Sequence, residues 1–213
     1  MKAQQPTPRA VALLRGINVG GKNLIPMPAL VAALEAAGFS AVETYIQSGN
    51  VFFGANAPWK TPKAGSSSLR SASLLADRAH LHEPHPEGLE RTIEGVIEAH
   101  FGLRIPTIVR TADTWRRTLA GAPFPEAQRD RPKLLHVGHS KRPLDPRVAE
   151  ALAERATSEA VRVHEGALFI DFVDGAGRSK LTPAAIEKAA GSPVTLRNWN
   201  TALEIGRRLG TAH

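Results

Sequence analysis

The chain has 213 residues, enough for one large or two small domains with a proper core, and it has no cysteine, which excludes disulfide scaffolds, thiolate–zinc sites and cysteine nucleophiles. A net charge of +7 is compatible with phosphate-rich partners, although without a long Lys/Arg run plain solubility accounts for it slightly better, and aromatic residues at only 5% speak against a platform that stacks several bases. The opening, MKAQQPTPRAVALLRG, holds an apolar run of just five residues, Ala10 to Leu14, too short for a signal peptide or a spanning helix. A cytoplasmic protein without a membrane segment is therefore expected.

Residues 9–15, RAVALLR, form an apolar run closed by a Gly-rich loop and read as a strand. PALVAALEAAG follows, with Leu30, Val31, Leu34 and Ala37 on one helical face, Pro28 suited to the first turn and Gly38 to the C-terminal cap. VETYIQSGNVFF splits into two short strands around Ser48-Gly49. Residues 55–86 are rich in Pro and Ser and read as a largely mobile insertion, with one short helix near Leu69 to Arg78. Residues 87–101 return to helical periodicity through Leu89, Ile93, Val96, Ile97 and Phe101, and LRIPTIVRT is a strand whose Pro106 implies an edge or a bulge. The order is βαββαβ, a ferredoxin-like arrangement.

The second half partly repeats that order. A helix at 112–119 leads to a Pro-rich loop, AGAPFPEAQRDRP, and then to the strand KLLHVGH. A helix at 146–155, a hairpin of VRVHEG and ALFIDFVDG, and a helix at 183–190 capped by Thr182 follow. The last helix, 198–209, has Asn198 as its cap and Gly210 beyond its end. The fold class is thus α+β with two related subdomains: residues 1–110, ferredoxin-like, and residues 111–213, βαββα plus a C-terminal helix.

Four short segments carry more glycine and polar side chains than plain connectors need: RGINVGGKN (15–23), QSGN (47–50), DGAGRSK (174–180) and TLRNWNT (195–201). Backbone N–H groups in Gly-rich nests and at helix starts attract anions. Arg15, Lys22, Arg178, Lys180 and Arg197 would add full charges. Gly16, Gly21 and Lys22 have Walker A spacing, but Asn23 stands where that loop needs a magnesium-binding hydroxyl, and Leu24, Ile25 and Pro26 delay the helix. Both the loop context and the metal ligand thus speak against a P-loop NTPase. Each segment also has a plain reading: Gly20-Gly21 as a turn, QSGN as a hairpin tip, Asn198 as a cap, Trp199 as a core aromatic. His80, His82 and His85 in HLHEPH are close enough to suggest zinc but fall in the insertion, and no carboxylate pair or nucleophile elbow stands out.

VALLRGINVGGKN, TYIQSGNVFF, GRSKLT and TLRNWNT, in this order, closely resemble the bacterial family catalogued as domain of unknown function 1697. The resemblance runs from about Arg9 to the last helix and implies a small α+β protein of two related subdomains. The family name assigns no activity, so the resemblance implies motif membership only. It departs at residues 55–86, where the family pattern has a shorter connection.

The expectation is a basic, amide-lined cleft between the subdomains that binds a phosphate-bearing ligand: a nucleotide, a nucleic-acid backbone or a phosphorylated metabolite. Arg15, Lys22, Arg178, Lys180 and Arg197 hold anionic oxygens. Amides and side chains of Asn18, Gly20, Gly21, Asn23, Gln47, Ser48, Asn50, Ser179 and Asn198 orient the ligand, and Trp199 stacks or packs. Two alternatives stay open: a transferase or hydrolase using the same cleft, and a structural or interaction protein whose motifs build only turns and the subdomain interface. Ligand identity, cofactors and oligomeric state are not legible.

Overall fold

A computed structural model describes residues 10–54 and 86–211. The expected insertion lies outside the described residues except for Pro86, which opens a helix; the short helix near Leu69 and the histidines of HLHEPH lie outside them too.

The first half is β1 (Ala10–Leu14), α1 (Met27–Ala36), β2 (Glu43–Tyr45), β3 (Asn50–Phe53), α2 (Pro86–Phe101) and β4 (Thr107–Thr111). The strands form an antiparallel sheet in the order β2-β3-β1-β4, so Pro106 precedes an edge strand, where a missing N–H costs no ladder bond. Alternation sorts β1 between two cores: Ala10, Ala12 and Leu14 face α1 and α2, while Val11 and Leu13 face the other way. Leu30 and Leu34 of α1 and Ile93 and Ile97 of α2 complete the first core. Fully burying a side chain of this kind contributes about 1.5–3 kcal/mol.

The second half is α3 (Ala112–Ala120), α4 (Pro125–Asp130), β5 (Leu135–Ser140), α5 (Arg147–Ala153), β6 (Ala160–His164), β7 (Ala167–Asp171), α6 (Pro183–Ala190), β8 (Val194–Asn198) and α7 (Trp199–Arg208). Its sheet runs β6-β7-β5-β8, again antiparallel. The repeat is fuller than the sequence reading. β8 supplies a fourth strand, so β5 to β8 with α5 and α6 make a second complete βαββαβ unit, and α7 follows it. α4 also lies within the expected Pro-rich loop.

The two sheets are joined by a shared cluster. Val11, Leu13, Phe52 and Ile108 of the first sheet and Leu135, Val137, Ala167 and Phe169 of the second meet Trp115 of α3 and Trp199, Ala202 and Ile205 of α7. The Trp115 indole N–H donates to the Ala202 carbonyl at 3.0 Å. Gly206 lets the two helices close, since a Cβ there would stand 2.5 Å from Leu119 Cδ1. Leu168, Ile170 and Val194 turn away from this cluster into a third core, with Leu152 of α5 and Ile186 of α6.

Candidate functional site

The loop after β1 resolves the Walker-like spacing. The Lys22 N–H donates to the Val19 carbonyl at 3.1 Å, and the residues between them, Gly20 and Gly21, have φ of 58° and 73°. Two successive positive φ values across a two-residue turn are the type I′ hairpin arrangement, for which Gly-Gly is suited. Asn18 and Asn23 flank it with φ of 53° and 49°, a region that asparagine tolerates. Their side chains close the loop on itself. Asn18 Nδ2 donates to the carbonyls of Ile25 (3.0 Å) and Gln47 (3.1 Å), its Oδ1 accepts from the Ile25 N–H, and Asn23 Nδ2 donates to the Gly16 carbonyl. G-x-x-x-x-G-K here spells a projecting hairpin.

Arg197 of β8 is the point where three motif segments meet. It is 7% exposed. Its Nε donates to Asn50 Oδ1 at 2.6 Å, Nη1 to Thr195 Oγ1 at 2.6 Å and the Leu196 carbonyl at 2.9 Å, and Nη2 to the carbonyls of Ser48 (2.9 Å), Gly49 (3.3 Å) and Leu14 (3.3 Å). Those acceptors occupy all five N–H donors of a guanidinium. Burial lowers its pKa to about 10, so it is still a cation at neutral pH. Asn50 is fully buried and also donates to the Tyr45 carbonyl at 3.0 Å. Arg15 makes a second fastening: its Nε and Nη2 pair with both carboxylate oxygens of Glu187 on α6, and that carboxylate also accepts the Val194 N–H.

The fold therefore brings together residues 15–23, 47–50 and 197, but with their polar groups turned inward. The expected ligand contacts of Arg197, Asn18, Asn23 and Asn50 are committed to the protein itself. Asn198 caps α7 by accepting the Thr201 N–H at 2.9 Å, and Trp199, 4% exposed, packs in the shared cluster. Gly20, Gly21, Lys22, Gln47, Arg178 and Lys180 are exposed, and Ser48 is half-buried. Arg178 ends a short 3-10 turn (Ala176–Arg178), and half-buried Ser179 accepts the Leu181 N–H.

A cavity of about 350 Å³ lies elsewhere, between the units. Its walls are β4 and α3 on one side and the end of β5, the following loop and the β6–β7 turn on the other. Arg110, Arg117 and Lys141 line it, with Glu165 the acid among the lining residues. Arg110 shares the inward face of β4 with Ile108; it is 9% exposed, donates to the carbonyls of Val109 and Ser140, and burial lowers its pKa to about 10. Arg117 is exposed and reaches Thr114 Oγ1 only at 3.5 Å. Lys141 pairs with Glu94 at 2.6 Å.

His139 also lines this cavity. Its ring tilts against Trp115, centroids 5.0 Å apart, and its Nε2 has no hydrogen-bond partner. Burial first, then the charges of Arg110 and Arg197, push its pKa well below the ordinary value, so it is neutral. The other buried unpartnered side-chain atom among the described residues is Glu90 Oε2; Glu90 Oε1 accepts the Val109 N–H, and burial raises that carboxyl's pKa against the pull of Lys141 and Arg110. Sequence reasoning passed over Arg110, Lys141 and His139 because none stands in a motif. The available signal was one arginine inside an otherwise uncharged strand, TIVRT.

Two ferredoxin-like units in tandem, fastened by a buried arginine and a common core, define an α+β protein with a basic cavity between its halves. A family model described as "Protein of unknown function (DUF1697)" matches residues 8–72 and 79–169, and the chain belongs to that family. The match ends before GRSKLT and TLRNWNT. No curated protein matches the chain. Among solved structures, a similar one is the conserved bacterial protein SP0830 from Streptococcus pneumoniae, 22% identical, with a TM-score of 0.62 over 95% of this chain and 99% of that one. At that identity the likeness concerns the fold. No helix among the described residues is long and apolar enough to cross a membrane.

Proposed function

We propose that the protein binds a small phosphate-bearing ligand in the cavity between its two units, with the division between units taken after Arg110. The family motifs would then serve as fasteners that hold the two walls in register, and the ligand-binding role expected of Arg15 and Arg197 would pass to Arg110, Arg117 and Lys141. The observation that carries this reading is the lining: three cations and one acid around about 350 Å³. Arg suits bidentate recognition of phosphate oxygens. Ligand cavities span roughly 300–1,000 Å³, so this one fits a phosphorylated metabolite or mononucleotide better than a nucleic-acid backbone.

The test is a thermal-shift screen of the purified chain against sugar phosphates, nucleotides and inorganic phosphate. A ligand at 100 times its Kd stabilises by about 2.7 kcal/mol, which moves the Tm of a domain this size by roughly 5 °C or more. A shift lost in Arg117→Ala but kept in Lys22→Ala and Arg178→Ala supports the cavity. Loss in Lys22→Ala or Arg178→Ala instead returns the site to the Gly-rich loops. No shift from any phosphate compound leaves the motifs as purely structural, the reading that the inward-turned bonds of Arg197 favour.

A further inference from the structure

Lys141 lines three cavities at once. One is the cavity just described. A second, of about 760 Å³, lies on the other side of the same loop, between the start of α5 and the end of α6. A third, of about 370 Å³, lies toward Glu98 and Arg104. The first two flank the same short segment and share both Lys141 and Pro143.

That segment is a fixed divider. On one side the Leu144 N–H donates to the Gly166 carbonyl at 3.0 Å, and Gly166 packs so closely that a Cβ there would stand 2.8 Å from Pro143 Cβ. On the other side the hydroxyls of Ser140 and Ser192 share a hydrogen bond. Lys141 itself is held by Glu94, whose carboxylate also accepts the Thr107 N–H. Walls pinned in this way lose little further entropy when a ligand settles against them.

Charge is distributed on both sides of the divider. The larger cavity has Lys141, Arg142 and Arg147 on its lining, with Asp145 as the acid. Arg147 is committed to Asp145 through two hydrogen bonds of 3.0 and 2.9 Å. Arg142 is exposed and has no ion-pair partner among the described residues. Each cavity thus keeps one exposed arginine without an ion-pair partner among the described residues, Arg117 on one side and Arg142 on the other, and Lys141 lines both.

We infer that the ligand is bis-anionic: a compound with two phosphate groups on one linker, one held by Arg117 and Arg110 in the smaller cavity and the other by Arg142 in the larger, laid across Lys141. This rests on the binding reading of the preceding subsection. The second phosphate would bind intramolecularly, so the gain from linking depends on the linker reaching across the divider.

The experiment is calorimetric titration of the full chain with methyl phosphate and with alkane bisphosphates whose chains run from two to eight carbons. The expected result is weak monoester binding, and bisphosphates that bind about tenfold tighter or better once the chain spans the divider. Arg142→Ala abolishes that gain and removes one of two monoester sites; Arg117→Ala abolishes the gain and removes the other. If every bisphosphate binds within about twofold of the monoester, the statistical factor for two equivalent ends, while Arg117→Ala still abolishes monoester binding, the two-site ligand is overturned and the single-cavity reading stands. If neither class binds, both fall together.

Discussion

Arg197 illustrates how far a residue's meaning depends on where its side chain ends. In the sequence it sits in a polar stretch beside Asn198 and Asn200, which reads as ligand chemistry. In the fold its acceptors come from residues 147 to 183 positions away, besides two near neighbours. Burial of a cation without a carboxylate is costly, and the carbonyl dipoles offset that cost only while the planar fork reaches all of them. Arg197→Met should therefore lower stability by about 3 kcal/mol or more, because each buried acceptor left unpaired costs about 1–3 kcal/mol. Arg197→Lys should fall between the two, keeping the charge but losing the fork. Urea unfolding measures both; a loss below about 1 kcal/mol for Met, the size of an ordinary exposed hydrogen bond, would mean that water reaches those carbonyls. His139 gives a pH prediction at the same scale. In the fold it stays neutral well below the ordinary imidazole value of 6.5, whereas the unfolded chain takes up a proton there. The native state then binds fewer protons, so stability is full above about pH 6.5 and falls as pH drops, by at most about 1.4 kcal/mol per pH unit for each such group. His136, lowered mainly by burial, acts in the same direction. Toward pH 4 the carboxylates Asp145, Glu159 and Glu204, held at about 2 by hydrogen bonds from Arg147, Ser179 and Arg207, add their own loss. A His139→Phe variant, which keeps an aromatic ring against Trp115, should show a flatter stability profile between pH 6.5 and 5; an unchanged slope there would show that His139 protonates in the folded state.

At the scale of elements, most of the chain could be read because local signals agreed with tertiary demands. The apolar run of β1, Pro28 in the first turn of α1, the Thr182 and Asn198 caps and the left-handed Gly210 after α7 all act where the sequence placed them. β8 was missed because its five residues, VTLRN, run straight into a helix cap and carry an arginine; only pairing with β5 makes them a strand. α4 was missed because its entry is Phe124 with φ of 66°, a left-handed start that propensity does not anticipate, and because prolines suggested a loop. The QSGN turn is longer than the expected tight hairpin, with Asn50 already in β3. Two of the motif glycines have opposite surroundings. A Cβ on Gly49 would stand 2.7 Å from Leu14 Cβ, with φ of 78°; one on Gly20, with φ of 58°, would meet open space. Gly20→Ala should cost only the left-handed strain, about 1–2 kcal/mol. Gly49→Ala adds overpacking against β1, typically about 1–3 kcal/mol more. Denaturant midpoints of the two variants make the comparison direct, and equal losses would refute the close packing of the QSGN turn on β1.

The whole molecule shows what a one-dimensional reading leaves out. The order βαββαβ was legible because period-two and period-3.6 patterns alternate cleanly, but the far face of each sheet has no sequence label naming its partner. Val11, Leu13 and Phe52 look like the reverse side of one sheet until Val137, Phe169, Trp115 and Ile205 are seen against them. The basic cavity escaped the sequence for the same reason: its cations come from β4, α3 and the loop after β5. A shared core has a thermodynamic consequence. Separating the units would expose a cluster of buried aliphatic and aromatic side chains at about 25 cal/mol per Å², strip Arg197 of its acceptors in the first unit and open the Arg15–Glu187 pair. Each unit has one core of its own, but each also depends on the shared cluster to cover the other face of its sheet, so the chain should unfold as one cooperative body despite containing two similar halves. Trp115 and Trp199 both lie in the shared cluster, so in a Trp59→Phe background their fluorescence reports that cluster alone. Urea transitions followed by this fluorescence and by far-ultraviolet circular dichroism should coincide in midpoint and slope. A fluorescence change that precedes the loss of secondary structure would show that the units part before they melt, and would reduce the shared cluster to a docking surface between independently stable halves.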